Sequence, residues 1–459
     1  MNNIIKVAVI MLAGASMTGC HIYKSYETPT STPLTKAYAE ALEQPVDSTE
    51  FGNLPWQDVF TDPILVDLIN RALEANTNLR NAQLNVETAR AQLLGAKLSY
   101  LPSLALAPNG AGAKYADNPF SWTYQLPAQV SWEIDIFGKL LNSKRNAQAA
   151  VLQSEAYAQA VRSQIISAVA TTYYSLAAVK AQLELSRNTS ELWKSTVQTM
   201  RDLKLSGGVT EAAVMQSEAN YYSILANITD LEASVDRLNN TMSLLLNTMP
   251  QEWTVNPIAA LEAPAVARNG VEMRLLASRP DVAAAEQSLA MAYYATNSAR
   301  AAFYPGLTIT ANGGFTNLLG SFVSNPGDWF VQLAGSLVAP LFSRGRNIAT
   351  LKASKAQQQV AMNNFEYTLL NAAAEVSDAL TVYQKSIIKA ELLDKQVEDL
   401  AKAVDMTQDL LLYSTGSTNY LEVLTAQQSL LGAQISLIAC RQARDMAVIN
   451  LYQAVGGGR

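Results

Sequence analysis

Gln125-Leu126-Pro127-Ala128-Gln129-Val130-Ser131-Trp132-Glu133-Ile134-Asp135-Ile136 decides how the rest of the chain is read. From Leu126 to Ile136 every second residue is apolar, and Pro, Gln, Ser, Glu and Asp stand between them. A strand sends alternate side chains to opposite faces, so the stretch predicts a strand with one apolar and one polar face. Leu307, Ile309 and Ala311 alternate with Thr308, Thr310 and Asn312 in the same way. Leu104 and Leu106 begin a third such segment, and Val331, Leu333 and Leu337 mark a fourth. A strand of a membrane barrel has this rhythm, lipid on one side and water on the other. An amphipathic sheet on a soluble core would share it. Pro127 has no N–H to give a ladder and is expected at a strand end or a bulge. Residues 109–122 and 317–329 are then expected as hairpin loops.

Working outward, the neighbouring stretches change period. Gly and Pro are absent from 139–205, 209–249 and 346–415. Val214, Tyr221, Ile228, Val235 and Met242 recur every seventh residue, with Ile224, Leu231, Leu238 and Leu245 alongside. Leu369, Val376, Tyr383, Ala390, Val397, Val404 and Leu411 form another such series. These are seams of helices packed side by side. A helix over 139–205 would extend about 100 Å at 1.5 Å per residue, too long for a compact bundle. Four strands cannot close a barrel; two copies would supply eight and three would supply twelve.

Composition narrows the functional classes. The chain has 459 residues, 33 basic against 39 acidic, one histidine and two cysteines. A net charge of −6 leaves no footprint for nucleic acid. One histidine excludes a His-rich metal centre and makes His-dependent catalysis a poor fit, and two cysteines exclude a disulfide scaffold. No catalytic residue, metal site or cofactor is expected. Trp193, Tyr173 and Tyr174 read as wall packing, Cys440 as a buried thiol, and Trp122, Trp132 and Trp329 as an interfacial belt.

The N-terminus reads as an export signal, residues 1–19, with Lys6 ahead of an apolar run from Val7 to Ala15 too short to span a membrane. Met17-Thr18-Gly19-Cys20 resembles the bacterial lipoprotein signal, which makes Cys20 the expected site of a covalent lipid. Residues 20–55, rich in Thr, Ser and Pro, are expected as an extended linker. Beyond the signal no apolar run of eighteen residues is evident, so any further crossing must use strands.

The chain also repeats. Tyr100-Leu101-Pro102-Ser103-Leu104 matches Phe303-Tyr304-Pro305-Gly306-Leu307. Phe137-Gly138-Lys139 matches the stretch around Gly345, and Gly207-Gly208-Val209 matches Gly416-Ser417-Thr418. Two halves, 56–255 and 256–459, each read helix, strand, loop, strand, long helix, turn, return helix. Arg279-Pro280-Asp281 starts the second half's first helix, with Asn78 in the equivalent place of the first.

With these residues in view the sequence resembles the bacterial outer membrane efflux proteins, the TolC-like channels and their lipidated NodT-type branch. The carriers are Trp56, Phe60, Asp62-Pro63 and Leu65; Arg279-Pro280-Asp281-Val282; Tyr420-Leu421-Glu422-Val423-Leu424; and Leu451-Tyr452 through Gly458. The resemblance implies an α+β membrane protein: a homotrimer with a twelve-stranded outer membrane barrel, four strands per chain, continued by a long periplasmic α-helical barrel. It implies an exit duct joined by a periplasmic adaptor to an inner membrane pump, RND-type for small-molecule efflux. Type I protein secretion is the alternative within this class, and a non-channel coiled-coil lipoprotein the alternative outside it.

The resemblance also places a periplasmic gate. Tyr413 and Leu421 keep the family's aromatic and aliphatic residues; Glu422 keeps one acidic ring residue. Thr425 stands where some members have aspartate, and Thr418 where some have arginine. Closure is therefore expected from Leu421 packing and neutral hydrogen bonds, with Glu422 favouring cations at the mouth. The tips Gly207, Gly208 and Val209, with Gly416, Ser417 and Thr418, correspond to the adaptor-contacting segment.

Overall fold

The computed structural model describes residues 23–43, 51, 54–114, 116–117, 119–258, 276–317, 328–413 and 420–458. The described parts form two compact units. One comprises segments within Met1–Thr35, Leu84–Ala156 and Ala283–Tyr367; the other lies within Lys36–Gln83, Tyr157–Val282 and Thr368–Arg459. Each unit takes segments from both halves of the sequence.

In the first unit, β1 (Ser103–Leu106), β2 (Asn109–Ala113), β3 (Ser121–Ile134), β4 (Gly306–Asn317) and β5 (Asp328–Val338) make one antiparallel sheet. β1 and β2 both pair with β3, followed by β4 and β5. Leu106 faces Ala128 and Asn109 faces Gln125, so β1 and β2 keep one register and act as a single broken strand. Of the first expected hairpin loop, β2 takes up residues 109–113 and β3 residues 121–122; residues 318–327 of the second lie outside the described residues.

The register aligns the faces across the whole sheet. Leu104 pairs with Val130, Val130 with Ala311 and Ala311 with Leu333. Next to them Gln129 pairs with Asn312, and Asn312 with Gln332. Both faces of the sheet are open, and on the apolar one Leu104, Leu106, Trp122, Val331, Leu333 and Leu337 are each more than half exposed.

Pro127 corrects its expected place. It sits inside β3, opposite Gly314 of β4. A Cβ on Gly314 would lie 2.1 Å from the Leu126 carbonyl oxygen and 2.8 Å from the Pro127 Cα, so only glycine allows the approach. On the other flank the break between β1 and β2 falls beside Pro127, whose carbonyl still accepts from the Ala107 N–H at 3.0 Å. A proline is tolerated in mid-strand because both neighbours make room.

The linker expectation is corrected too. Residues 33–42 form a helix, α1 (Pro33–Leu42). Pro33 starts it, the Thr32 hydroxyl accepts from the Thr35 N–H at 3.3 Å, and Tyr38 and Ala41 are buried. A short helix α2 (Trp56–Val59), then α3 (Pro63–Ala75) and α4 (Thr77–Leu98), follow. Asp62 caps α3 through the Ile64 and Leu65 N–H groups, and its other oxygen accepts from Tyr173 Oη at 2.8 Å and Asn256 Nδ2 at 2.9 Å. Asn76 caps α4 by accepting from the Asn78 N–H and donates to the Leu245 carbonyl.

Two helix pairs dominate the rest. α5 (Lys139–Leu205) has 67 residues and α6 (Glu211–Leu245) has 35. After α7 (Pro280–Ala301), α8 (Arg346–Tyr413) has 68 residues and α9 (Tyr420–Ala454) has 35. The near-equal lengths repeat the duplication seen in the sequence. Both long helices begin just after a glycine of positive φ, Gly138 and Gly345, where a side chain would be strained. Along the second unit the heptad positions Val214, Ile224, Met242, Leu369, Val376 and Val404 are buried.

α9 qualifies the statement about apolar runs: it contains an 18-residue window of mean hydropathy 1.3. One side of that window is already used in packing, since Val423, Leu424, Ala426, Ala433 and Cys440 are buried in the second unit. Its end is fixed by the C-terminal glycines. Gly457 lies where a Cβ would meet the Tyr452 ring at 2.5 Å, and Tyr452 Oη accepts from the Gly458 N–H at 2.9 Å.

Candidate functional site

Two regions bear on function: the sheet and the helix ends where each pair reverses. At the first reversal, between α5 and α6, the Gly207 N–H donates to the Lys204 carbonyl and the Gly208 N–H to the Leu203 carbonyl. With Gly207 at φ 76° this is a Schellman closure of α5. Val209 is half-buried. Thr210 caps α6 through the Ala213 N–H, and Lys204 and Glu211 form an ion pair across the turn. A second bridge, Arg201 to Glu218 at 2.6 Å, ties the two helices below it. Of the second reversal, Gly416, Ser417 and Thr418 lie outside the described residues. Tyr413 ends α8, and its side chain is likewise outside what is described.

The first turns of α9 split cleanly by face. Leu421 is 53% exposed, and Glu422 and Thr425 are exposed with it. The Thr425 hydroxyl donates back to the Leu421 carbonyl at 2.7 Å, which ties it to its own helix. Leu424 points the other way, into a cluster with Trp193 of α5 and Ile224 of α6, flanked by Tyr221 and Tyr420. The three expected gate residues therefore share the exposed side of a helix whose opposite side is anchored. That anchor was not read from the sequence, although Trp193 was correctly read as packing.

The second unit also carries two buried charge centres. Arg279 is 7% exposed at its side chain; Nε and Nη2 donate to Asp281, Nη2 also to Glu375 at 2.7 Å, and Nη1 to the Ala454 carbonyl at 2.7 Å. It joins the start of α7, the middle of α8 and the end of α9. Asp445 is buried, and its Oδ1 accepts from Arg444 Nε and Nη2 at 2.9 and 2.8 Å, while Oδ2 has no partner among the described residues. Burial pushes the Asp445 carboxyl above the usual value, against the pull of Arg444 and Arg441. Burial, together with the charges of Asp445 and Asp62, also pushes Tyr174 up. Cys440 is buried and donates to the Ser386 carbonyl. Among the described residues no group of His, Cys, Asp and Glu could hold a metal ion. Cys20 lies outside the described residues.

A sheet with one aligned apolar face open to its surroundings, joined twice in one chain to a long helix and a return helix, defines a membrane channel of the strand-and-helix type. The family described as "Outer membrane efflux protein" matches residues 68–248 and 273–457, and the chain belongs to it. The probable outer membrane lipoprotein SilC of Salmonella typhimurium is 31% identical over 418 residues, covering 88% of each chain. The cation efflux system protein CusC of Escherichia coli K12 is 28% identical over 453 residues, covering 96% of this chain and 97% of that one. A crystal structure of CusC superposes with a TM-score of 0.83 at 27% identity, over 95% of this chain and all of that one. The fold is the TolC-like outer membrane channel fold, and the protein is an outer membrane efflux channel with a periplasmic helical extension.

Proposed function

We propose that three copies of this chain close a twelve-stranded barrel and form the passive exit duct of a tripartite efflux system. The observation that carries the reading is the single sheet with a continuous exposed apolar face and two open edges. Among the described residues, β1 and β2 pair only with β3, and β5 only with β4. In a membrane every strand edge must be paired, so another copy must cover it. Transport through such a pore needs no bound cofactor and no turnover chemistry. The driving force comes from an inner membrane pump, RND-type in this reading, through a periplasmic adaptor that meets the helix tips at Gly207–Val209 and Gly416–Thr418. Its cargo is small molecules, with selection residing in the pump, and the Glu422 ring would favour cations at the mouth.

In this reading Leu421 closes the tunnel, with Tyr413, Glu422 and Thr425 around it, and a lipid on Cys20 adds an anchor to the barrel. Planar-bilayer recording tests the gate: low conductance is expected for the wild type and a severalfold rise for Leu421→Ala. Unchanged conductance removes Leu421 from the gate. Chemical cross-linking of the detergent-solubilised protein should stop at a three-copy band. Palmitate labelling should disappear in Cys20→Ala, and labelling that persists places the lipid elsewhere.

A further inference from the structure

Carboxylates avoid one part of this acidic chain. Between Glu286 and Glu366 the only acidic residue is Asp328, whereas Arg300, Arg344, Arg346, Lys352 and Lys355 all fall in that stretch. All five are exposed, and none is in an ion pair among the described residues. Several cations of the second unit are paired, as in Arg187–Glu232, Arg201–Glu218 and Arg441–Asp394.

The five occupy one place in the fold. Arg300 is in the last turn of α7, ahead of β4; Arg344 and Arg346 lie between the end of β5 and the start of α8; Lys352 and Lys355 follow on α8. All sit where the sheet gives way to helix. The helix itself does not call for them. A helix N-terminus is positive and favours acidic residues, yet α8 has none in its first turn and begins with Arg346. The start of α5 at the neighbouring junction differs: the Leu141 N–H donates to Asp135 and Lys139 pairs with Glu133, both at 2.7 Å, so α5 has carboxylates of its own and α8 has none in its first turn. An anion from outside the chain would turn this local cost into a gain.

Aromatic residues fix the depth. Phe137 stacks on Tyr304 with ring centroids 4.9 Å apart, and Trp132 Nε1 donates to the Tyr100 carbonyl at 2.9 Å. Phe342, between β5 and α8, is 86% exposed. Aromatic girdles of this kind mark the edge of the apolar layer of a barrel. Cations one to three helical turns beyond that edge, on side chains long enough to reach back, stand at the level of lipid phosphates.

We propose that the strand–helix junction is a collar that binds anionic phospholipid headgroups of the leaflet facing the helices. The proposal rests on the sheet being the membrane wall. The full-length protein is reconstituted into vesicles of phosphatidylcholine mixed with phosphatidylglycerol, extracted gently, and the lipid that stays bound is analysed. Phosphatidylglycerol should be enriched about tenfold at low salt, and the enrichment should shrink at high salt. A variant with Arg300, Arg344, Arg346, Lys352 and Lys355 changed to Gln should lose the enrichment. A control with Arg80, Arg237, Lys385, Lys389 and Lys395 changed to Gln, of equal charge change, should keep it.

Bound lipid that mirrors the mixture in the wild type overturns the proposal, as does equal loss in the control. If the junction variant does not insert, the wild-type enrichment and its salt dependence decide alone. Wild-type protein that never enters vesicles would instead count against the membrane wall.

Discussion

The sheet of the first unit and the helices of the second follow opposite rules with the same amino acids. Leu333 in β5 is 75% exposed, whereas Leu369 in α8 is fully buried. Glu133 and Asn312 belong to the polar side of the sheet, while along the helices the polar residues are left on the free surface. The difference teaches that exposure of a leucine is not a defect when the solvent is lipid. It also separates two energetic regimes, packing in the helices and transfer to hydrocarbon in the sheet.

The sharpest break of that contrast is Trp193→Ala. It empties the cluster with Ile224 and Leu424, and loss of a fully buried large aromatic costs about 3–5 kcal/mol. Thermal unfolding followed by helical circular dichroism should show it, with barrel insertion unaffected. Trp193→Phe should cost less, because the indole N–H is buried without a partner among the described residues. The counterpart in the sheet is Leu333→Arg, which places a charge on the lipid face. Near the membrane midplane this costs roughly 2–4 kcal/mol, so yield of folded protein in vesicles should fall while helical content in detergent persists. Equal tolerance of arginine at Leu333 and at Gln332, on the polar face, would refute the assignment of faces.

A smaller effect separates the tip from both. Gly207→Ala puts a side chain at φ 76°, at a cost of about 1–2 kcal/mol, with a modest drop in the melting temperature and no change in membrane insertion. The smallest is a pH effect in the helices. Burial holds the Asp445 carboxyl above its unfolded value, so the folded state binds that proton more tightly than the unfolded chain does. The contribution is therefore present at low pH and lost as pH rises through the raised value. Asp445→Asn should melt slightly above the wild type at pH 8, and the gap should close as pH falls towards 4. A gap that widens on acidification would reverse the sign.

Much of this was legible because the chain states its periods plainly. Alternation around Val130 and Trp132 gave strands, and the seams at Val214–Met242 and Leu369–Val404 gave the helix pairs. Gly207 and Gly208 marked a reversal, since the first takes a positive φ that strains any residue with a side chain. What escaped depended on distant partners. Pro127 is acceptable in mid-strand only because Gly314 arrives opposite it, and no local pattern announces that. Arg279 was readable as a helix start, but its bonds to Glu375 and the Ala454 carbonyl join segments far apart in sequence. The helix at Pro33–Leu42 was hidden by the Thr, Ser and Pro around it, although Leu34, Tyr38 and Ala41 keep a helical spacing.

The pairing of Pro127 with Gly314 reaches beyond one strand. A slip of β4 by two residues would bring Asn312 or Thr316 against the proline, and neither side chain fits a gap that refuses even a methyl group. Each copy thus enters assembly with its stagger already indexed. In a closed cylinder the stagger fixes strand tilt and bore, so one missing Cβ, counted once per copy, helps set the calibre of the pipe.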